Sequence, residues 1–451
     1  MSAGLGPEPI RVSSRKKVPS LSTDPLMRLF LPLLLLPPLL LARQYLSDAR
    51  IPSWWDAEDN NRGPKHVQPE QIHISWAAPN AIWITWLTFD DNLDAIVVLD
   101  DSEDTPGDIY RYRAGSQHGW SAIFEFRYMK PRSDGGYEIA MYGDMGNENA
   151  RSMGLIQRLA QDGDIDLIHH VGDYGYDLNT DNGRIGDEFF RQIEAAAAYI
   201  PYMPTPGNHE NEHNFTHYTN RFTEPSGENP MFYSYDLDQI HFISFSTEFY
   251  FFTNFGFHQI GHQFRWLEED LKNANANREN VPWIITLGHR PMYCSDFDGD
   301  DCTKYESIIR TGLPGTHQFA LEKLFFDAGV DVEFWAHEHS YERMFPVYNR
   351  TVYKGESSPY IDPPAPLHIV SGSAPEPWSA FRSSNYGIGL LRAFNSTHLR
   401  YAQVKAADEK IEDEIWLVKH RHGPNGRKEL KRLKKYGKHI PHHKYYGKRE
   451  L

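Results

Sequence analysis

From about Pro69 the chain alternates apolar and polar positions with a period of two. QIHISW, AIWITWLTF, AIVVLD, YRYRAGS and AIFEFRY follow one another, broken by Asp, Asn and Gly clusters. Successive side chains of a strand face opposite ways, so this pattern predicts strands without intervening helices. A small all-β sandwich over residues 66–130 is the expected outcome. After Pro131-Arg-Ser-Asp-Gly-Gly the pattern changes. YEIAMYGD (137–144), DLIHHVGD (166–173), WIITLGH (283–289) and DVEFWAHEH (331–339) read as strands, with two further strand-like runs in 232–247. Between them, 149–161, 186–200, 262–274 and 319–329 read as helices. Strand–helix alternation of this length predicts an α/β domain with a layered sheet over residues 135–345. Strands at 367–371, 387–394, 398–405 and 411–418 extend it as a carboxyl-terminal part, 346–418.

Composition narrows the class. The 451 residues are 40% hydrophobic and 14% aromatic, enough for the cores of two or three modules, which excludes global disorder. Two cysteines exclude a disulfide scaffold or a cysteine-rich zinc protein. Acidic residues outnumber basic ones, 61 to 46, which argues against a general nucleic-acid binder. The charge is unevenly spread: residues 1–50 carry +4 and 419–451 carry +10, leaving −29 on the body. The terminal segment 419–451, rich in Lys, Arg and His, reads as a solvated disordered extension, or more sharply as a patch for heparin-like polyanions or membrane phosphates. Its last four residues, Lys448-Arg-Glu-Leu451, resemble an ER-retrieval signal only loosely.

The apolar run Leu29–Ala42 follows Arg15, Lys16, Lys17 and Arg28 and contains three prolines. It is too short to span a bilayer comfortably and reads as the core of a secretory signal within residues 1–50, with cleavage points at Ala42 or Ala49. The plainer alternative is an uncleaved anchor. A secreted or lumenal glycoprotein is therefore expected, with acceptor sequons at Asn214, Asn349 and Asn395. In an oxidising lumen Cys294 and Cys302 can pair across a short loop.

The chemistry concentrates in five motifs at strand ends or in tight loops. They are Gly143-Asp144-Met-Gly146, Gly172-Asp173-Tyr-Gly-Tyr176, Gly207-Asn208-His209-Glu210, Gly288-His289 and His337-Glu-His339. In α/β sheets the carboxyl ends of the strands converge on the functional crevice. Taken singly, each motif has a duller reading: Gly-Asp as a turn, Tyr176 as a core aromatic, Asn208-His209 as a loop, His337 and His339 as a pair on one strand face. Together they assemble carboxylate, phenolate, amide and imidazole groups, a set suited to iron, zinc or manganese and not to calcium. Seven candidate ligands exceed what one ion needs and suit two ions sharing a bridging carboxylate. His169 and His170, inside a strand, read as structural.

In this order the motifs resemble the signature of the purple acid phosphatases, within the calcineurin-like metallophosphoesterases. The similarity runs from Pro69 to about Val418, includes GHRPMYCS (288–295) and AHEHSYER (336–343), and looks closest to the animal, plant-like high-molecular-weight branch. Gly-Asp-x-x-Tyr is its most discriminating piece. The resemblance implies an αββα layered sandwich preceded by a small fibronectin-III-like β-sandwich. It also implies an acid phosphatase that hydrolyses phosphate monoesters with a metal-bound hydroxide at a dinuclear Fe(III)–M(II) centre. By the same resemblance, Asp144, Tyr176 and His339 hold the ferric ion. Asn208, His289 and His337 hold the divalent ion (iron, zinc or manganese), and Asp173 bridges the two. His209 contacts the phosphate and assists the leaving oxygen, with Glu210 and Glu338 as candidate helpers. Two rival functions share these features: a phosphodiesterase or nucleotide pyrophosphatase using the same metals, and a secreted polyanion-binding protein with an inactive site. The chain departs from the family pattern at several points. Asp298 and Gly299 stand where plant members place two histidines, Ala336 where many have glycine, and the chain is short between Asp101 and Tyr110 and after Gly372.

Overall fold

In the computed structural model the described residues are 11–17, 40–46, 68–79, 81–89, 96–99, 109–117, 119–227, 229–295, 306–355, 358–370 and 378–440, the first two stretches by backbone alone. Two sheets form the body. The first has six strands in the order Tyr202–Thr205, Leu167–Val171, Ile139–Tyr142, Gly387–Asn395, His398–Lys405 and Ile411–Val418. Its first three are parallel and the rest antiparallel. The second has seven: Tyr233–Leu237, Ile240–Ser244, Trp283–Leu287, Val332–Phe334, Leu367–Val370, Tyr341–Met344 and Ser379–Ser383. Its parallel core runs from Ile240–Ser244 to Leu367–Val370.

The period-two alternation sorts each strand between two cores. Ile139, Met141, Val171 and Leu391 meet Phe242, Ile285, Leu287 and Ile369 in one buried cluster between the sheets. The intervening Ala140, Ile168, Ile243 and Ile284 belong to a second cluster, with residues of the helices Met153–Asp162, Arg184–Ala197, His258–Ala276 and Leu321–Ala328. LIHHV and WIITL are buried along their whole length, as parallel strands covered on both faces must be. The result is a helix–sheet–sheet–helix arrangement.

The amino-terminal segment is all-β. One sheet contains Glu70–Ala78 and Ala81–Thr88; the other contains Ile96–Leu99, Ile109–Ser116, Gly119–Trp120 and Phe124–Arg127. Ile72, Ile74, Ile84, Trp86, Tyr112, Phe124 and Phe126 form its core. Two stretches of the segment read as a leader, Arg11–Lys17 and Leu40–Leu46, are strands of the first sheet and pair in parallel with Ala81–Thr88. Cleavage after Ala49 would remove both and cleavage after Ala42 most of them, so these pairings belong to the uncleaved chain. The sandwich is tied to the α/β body through helix Arg184–Ala197 and the residue after it: Ile72 N donates to Glu194 Oε2 (2.6 Å) and Tyr112 Oη to Ala198 O (2.7 Å).

The terminal segment corrects the sequence reading. It is not a disordered extension but is folded through Ile440. Lys419 and His422 lie against the fully buried Asp331, and His422 stacks edge-on against Trp283 at 4.6 Å. Helix Arg427–Tyr436 buries Leu433, and strand Gly437–His439 pairs with Thr351–Tyr353. The high charge content hid this because few apolar side chains dock the segment: Leu433 and Ile440 are buried and Tyr436 packs beside the cluster of Leu433. Residues 441–451, including Lys448–Leu451, lie outside the described residues.

One surface-near cluster carries a pH dependence. His241 Nδ1 meets Asp236 Oδ1 at 2.6 Å and Nε2 meets Asp270 Oδ2 at 2.9 Å. Burial disfavours the charged ring, but the two carboxylates outweigh it and raise its pKa to about 9. Because this lies above the unfolded value of about 6.5, the stabilisation is fully present below about pH 6.5 and is lost as pH rises through about 9. Discounted for the half-exposed Asp236, it is worth on the order of 2 kcal/mol. His241→Gln is therefore expected to lower the melting temperature clearly at pH 5 and hardly at pH 9.5; equal losses at both would remove the ion pairs as the cause.

Candidate metal centre

Every candidate ligand sits past the carboxyl end of a parallel strand. Asp144 follows Ile139–Tyr142; Asp173 and Tyr176 follow Leu167–Val171; Asn208, His209 and Glu210 form a single 3-10 turn after Tyr202–Thr205. His289 follows Trp283–Leu287 on the other sheet. His337 and His339 were expected two apart on a strand, but the strand ends at Phe334 and both lie in the bend beyond it. A φ of 75° at His337 breaks the pleat. Asp144, Asp173 and Tyr176 are also left-handed, at 56°, 54° and 55°. Such conformations cost non-glycine residues about 1–3 kcal/mol each and persist where the surroundings dictate them. Two glycines make the crowding possible. A Cβ on Gly172, itself at φ 83°, would lie 2.3 Å from His289 Nδ1, and one on Gly207 would lie 2.3 Å from Asp173 Oδ1.

The side chains converge in two neighbouring groups. In one, Tyr176 Oη lies 2.7 Å from His339 Nε2, which is 3.8 Å from Asp144 Oδ1. In the other, His289 Nε2 lies 3.0 Å from Asn208 Oδ1 and 3.2 Å from Asp173 Oδ2. Ligand atoms of Asp173, His289 and His337 all fall within 4.8 Å of one another. Fixed hydrogen bonds orient them. His289 Nδ1 donates to Val171 O (2.8 Å), which turns its Nε2 toward Asn208 and Asp173. His337 N donates to Asp144 Oδ2 (2.9 Å), and His209 N to Asp173 Oδ1 (3.0 Å). His209 sits at the edge of both groups. Its Nδ1 meets Asp177 Oδ1 at 2.9 Å, its Nε2 lies 3.8 Å from Asp173 Oδ2, and its ring packs edge-on against Tyr176.

The charge balance asks for cations. Burial, with Asp173 adding to it, pushes the Asp144 carboxyl up to about 8, and Glu210 likewise to about 8. Burial opposes ionisation of Asp173 too, but His289 and His209 overcome it and hold Asp173 well below the usual carboxylate range. His289 in turn is desolvated yet raised to about 10 by Asp173 and Asp144. Burial and the neighbouring His289 and Arg290 push His337 down. Burial, then Asp144 and Asp173, push the Tyr176 phenol far up. Asp144 Oδ1 is buried and accepts no hydrogen bond among the described residues. Three buried carboxylates, a phenol, an amide and three imidazoles at this spacing fit a pair of metal ions.

Several participating residues were missed or underrated in the sequence. Glu210, read as a helper, is buried and accepts the backbone N–H groups of Asp173 (2.9 Å), Tyr174 (3.1 Å) and Gly207 (2.9 Å). Arg290 places Nη1 3.1 Å from His337 Nε2; its Nε donates to the fully buried Glu248 (2.9 Å) and its guanidinium lies 4.4 Å from the Phe251 ring. Only adjacence to motifs marks Arg290 and Asp177, and nothing in STEFY marks Glu248. Glu338 is buried, as are His169 and His170, which bond Tyr235 and Tyr202. Ala336 packs its methyl against Gly143, where a Cβ would come within 2.4 Å. Asn214, Asn349 and Asn395 are all exposed. Cys294 is disulfide-bonded and the chain has two cysteines; Cys302 lies outside the described residues, as do Asp298, Gly299 and most of the two short regions near 101–110 and after 372.

Comparison with known proteins agrees with this geometry. The family described as calcineurin-like phosphoesterase matches residues 137–341, and the one described as iron/zinc purple acid phosphatase-like protein C matches 365–414. The chain is 44% identical over 402 residues to acid phosphatase type 7 of Mus musculus, covering 78% of this chain and 92% of that one. It is 48% identical over 328 residues to acid phosphatase type 7 of Homo sapiens, covering 70% and 75%. The structure of purple acid phosphatase PPD1 from yellow lupin (Lupinus luteus) superposes with a TM-score of 0.64 at 21% identity, over 80% of this chain and 76% of that one. Two facing sheets with this set of candidate ligands at their strand ends, in the span matched by the calcineurin-like phosphoesterase family, define a metallophosphoesterase. Within that class the chain belongs to the purple acid phosphatase family. It is a phosphatase acting on phosphate monoesters, with iron and a divalent metal as its cofactors.

Proposed function

We propose that Asp144, Tyr176 and His339 hold a ferric ion, that Asn208, His289 and His337 hold a divalent ion (iron, zinc or manganese), and that Asp173 bridges them. The observation that carries this division is the separation of the ligands into two groups, Tyr176–His339–Asp144 and His289–Asn208–His337, with Asp173 against His289. The anionic, phenolate-bearing group suits the harder, higher-charged ion, and the neutral amide with two imidazoles suits the divalent one. Bound there, the metals supply Lewis acidity and a nucleophile formed from water at acidic pH.

The chain's own groups do the rest. Glu210 and Val171 O fix Asp173 and His289, which pre-organises that part of the site. His209, oriented by Asp177, presents Nε2 toward the reacting side and delivers a proton to the departing ester oxygen. The test is spectroscopic. Wild type should show a broad visible band from tyrosinate-to-iron charge transfer, and Tyr176→Phe should lose it while retaining iron. An iron-loaded, colourless wild type would sink the tyrosinate assignment and favour an all-divalent site.

The chain is, on the same reading, secreted or lumenal, and its basic carboxyl-terminal segment docks polyanions. The apolar run Leu29–Ala42, three exposed sequons and an oxidised Cys294 support the secretory route. Protein made in a eukaryotic host should lose mass on enzymatic removal of N-glycans; unchanged mass would count against it.

A further inference from the structure

The folded terminal helix sorts its cations. At about 100° per residue, Arg427, Lys428, Lys431, Lys434 and Lys435 fall on one face, and Leu433 points the opposite way into the core. All five are exposed, and so is Lys438 on the following strand. The two residues of opposite tendency are turned aside. Glu429, the helix's lone acid, accepts the Gly426 N–H (3.0 Å), and Arg432 is drawn inward to Asp362 O (2.6 Å) and Tyr353 Oη (3.0 Å). No carboxylate lies within ion-pair distance of Arg427, Lys428, Lys431 or Lys434 among the described residues. Like charges three and four apart destabilise a helix by about 0.2–0.5 kcal/mol per pair. The capping and the burial of Leu433 outweigh that; Lys435 is held against Tyr436, and no ion pair among the described residues engages Arg427, Lys428, Lys431 or Lys434. The five cations form a row about 12 Å long on a protein whose remainder is acidic.

We propose that this face binds a sulfated linear polysaccharide laid along the helix. The proposal rests on the polyanion reading of the segment and gives it a surface and a ligand class. A bilayer fits less well, because the helix buries Leu433 in the protein and leaves only the partly exposed Leu430 at the edge, with no apolar face to insert. A nucleic-acid duplex would overhang so short a face onto an acidic body, and the face carries no aromatic platform for unpaired bases. A narrow, flexible chain bearing closely spaced sulfates meets the row of cations without either difficulty.

The experiment compares the full-length protein with an Arg427→Glu, Lys431→Glu, Lys434→Glu triple variant, using heparin as the probe. Unsulfated hyaluronan, a short DNA duplex and phosphatidylserine–phosphatidylcholine vesicles serve as the alternatives. Wild type should bind heparin at 50 mM salt and weaken about 100-fold by 200 mM, the slope expected for about five neutralised charges. The triple variant should bind about 100-fold more weakly at 50 mM salt, with phosphatase activity and melting temperature unchanged. Retention of heparin binding by the triple variant within threefold overturns this face as the site while leaving the polyanion reading standing. Failure of active wild type to bind heparin at 50 mM salt overturns both. Preference for vesicles, duplex or hyaluronan over heparin overturns the ligand class.

Discussion

A chain ending at Val418 should not reach a folded, active state. The reason lies in Asp331, whose carboxylate is fully buried. It accepts from Arg278 Nη1 (2.9 Å) and the Ile284 N–H (2.8 Å), and pairs with Lys419 Nζ and, at 3.8 Å, His422 Nδ1. Burial opposes its ionisation, yet Lys419 and Arg278 hold it far below the usual carboxylate range. Removing one partner of a buried pair costs about 3–5 kcal/mol. The truncation also exposes the contacts of Leu433 and Ile440, worth about 1.5–3 kcal/mol each. Against a total stability of about 5–15 kcal/mol the sum is decisive. The truncated protein should be insoluble or lack a cooperative thermal transition. Lys419→Met alone should lower the melting temperature by roughly 5–10 °C, and adding Asp331→Asn should restore part of the loss. A truncated chain that melts with the wild type and keeps its activity would show the segment to be a passenger.

The same residues explain what could and could not be seen in the sequence. Asp144, Asp173 and His289 were legible because each follows an apolar run that ends in glycine, so strand end and chemistry are written side by side. The strand Tyr202–Thr205 was not, because it is four residues long and contains Pro204, an edge-strand residue. His337 and His339 were singled out as candidates but wrongly placed: alternation suggested a continuing strand, and the left-handed turn at His337 is imposed by tertiary packing. Glu248 and Arg290 pair across 42 residues, and no local pattern records a contact of that kind. In the terminal segment, charge marks what faces water and says nothing about the two apolar anchors beneath. Periodicity reports what an element buries along its own length, while the partners of a buried charge are known only once the chain has folded.

Glu210→Ala should remove most of the activity although Glu210 is not among the proposed ligands. Its carboxylate, shut away from solvent, gathers the amides of Asp173, Tyr174 and Gly207. It thereby holds Asp173 in a left-handed conformation at φ 54° and keeps Gly207 close enough for Asn208 to reach the site. Alanine leaves three buried N–H groups without an acceptor, at about 1–3 kcal/mol each. The chain recovers that energy most readily by relaxing the two loops that carry Asp173 and Asn208. Loss of such support costs metal sites about 10–100-fold in affinity or activity. The expected result is a fall of about 100-fold in kcat/KM with metal content below half of wild type. Glu210→Gln keeps one carbonyl oxygen, able to accept two of the three bonds, and should lose only about 10-fold. The order wild type, Gln, Ala in both metal content and kcat/KM is the diagnostic. An alanine variant that melts early but binds both metals normally would mean that Glu210 supports the domain rather than the site. An alanine variant indistinguishable from wild type would mean that the strained loops are held by the metals themselves.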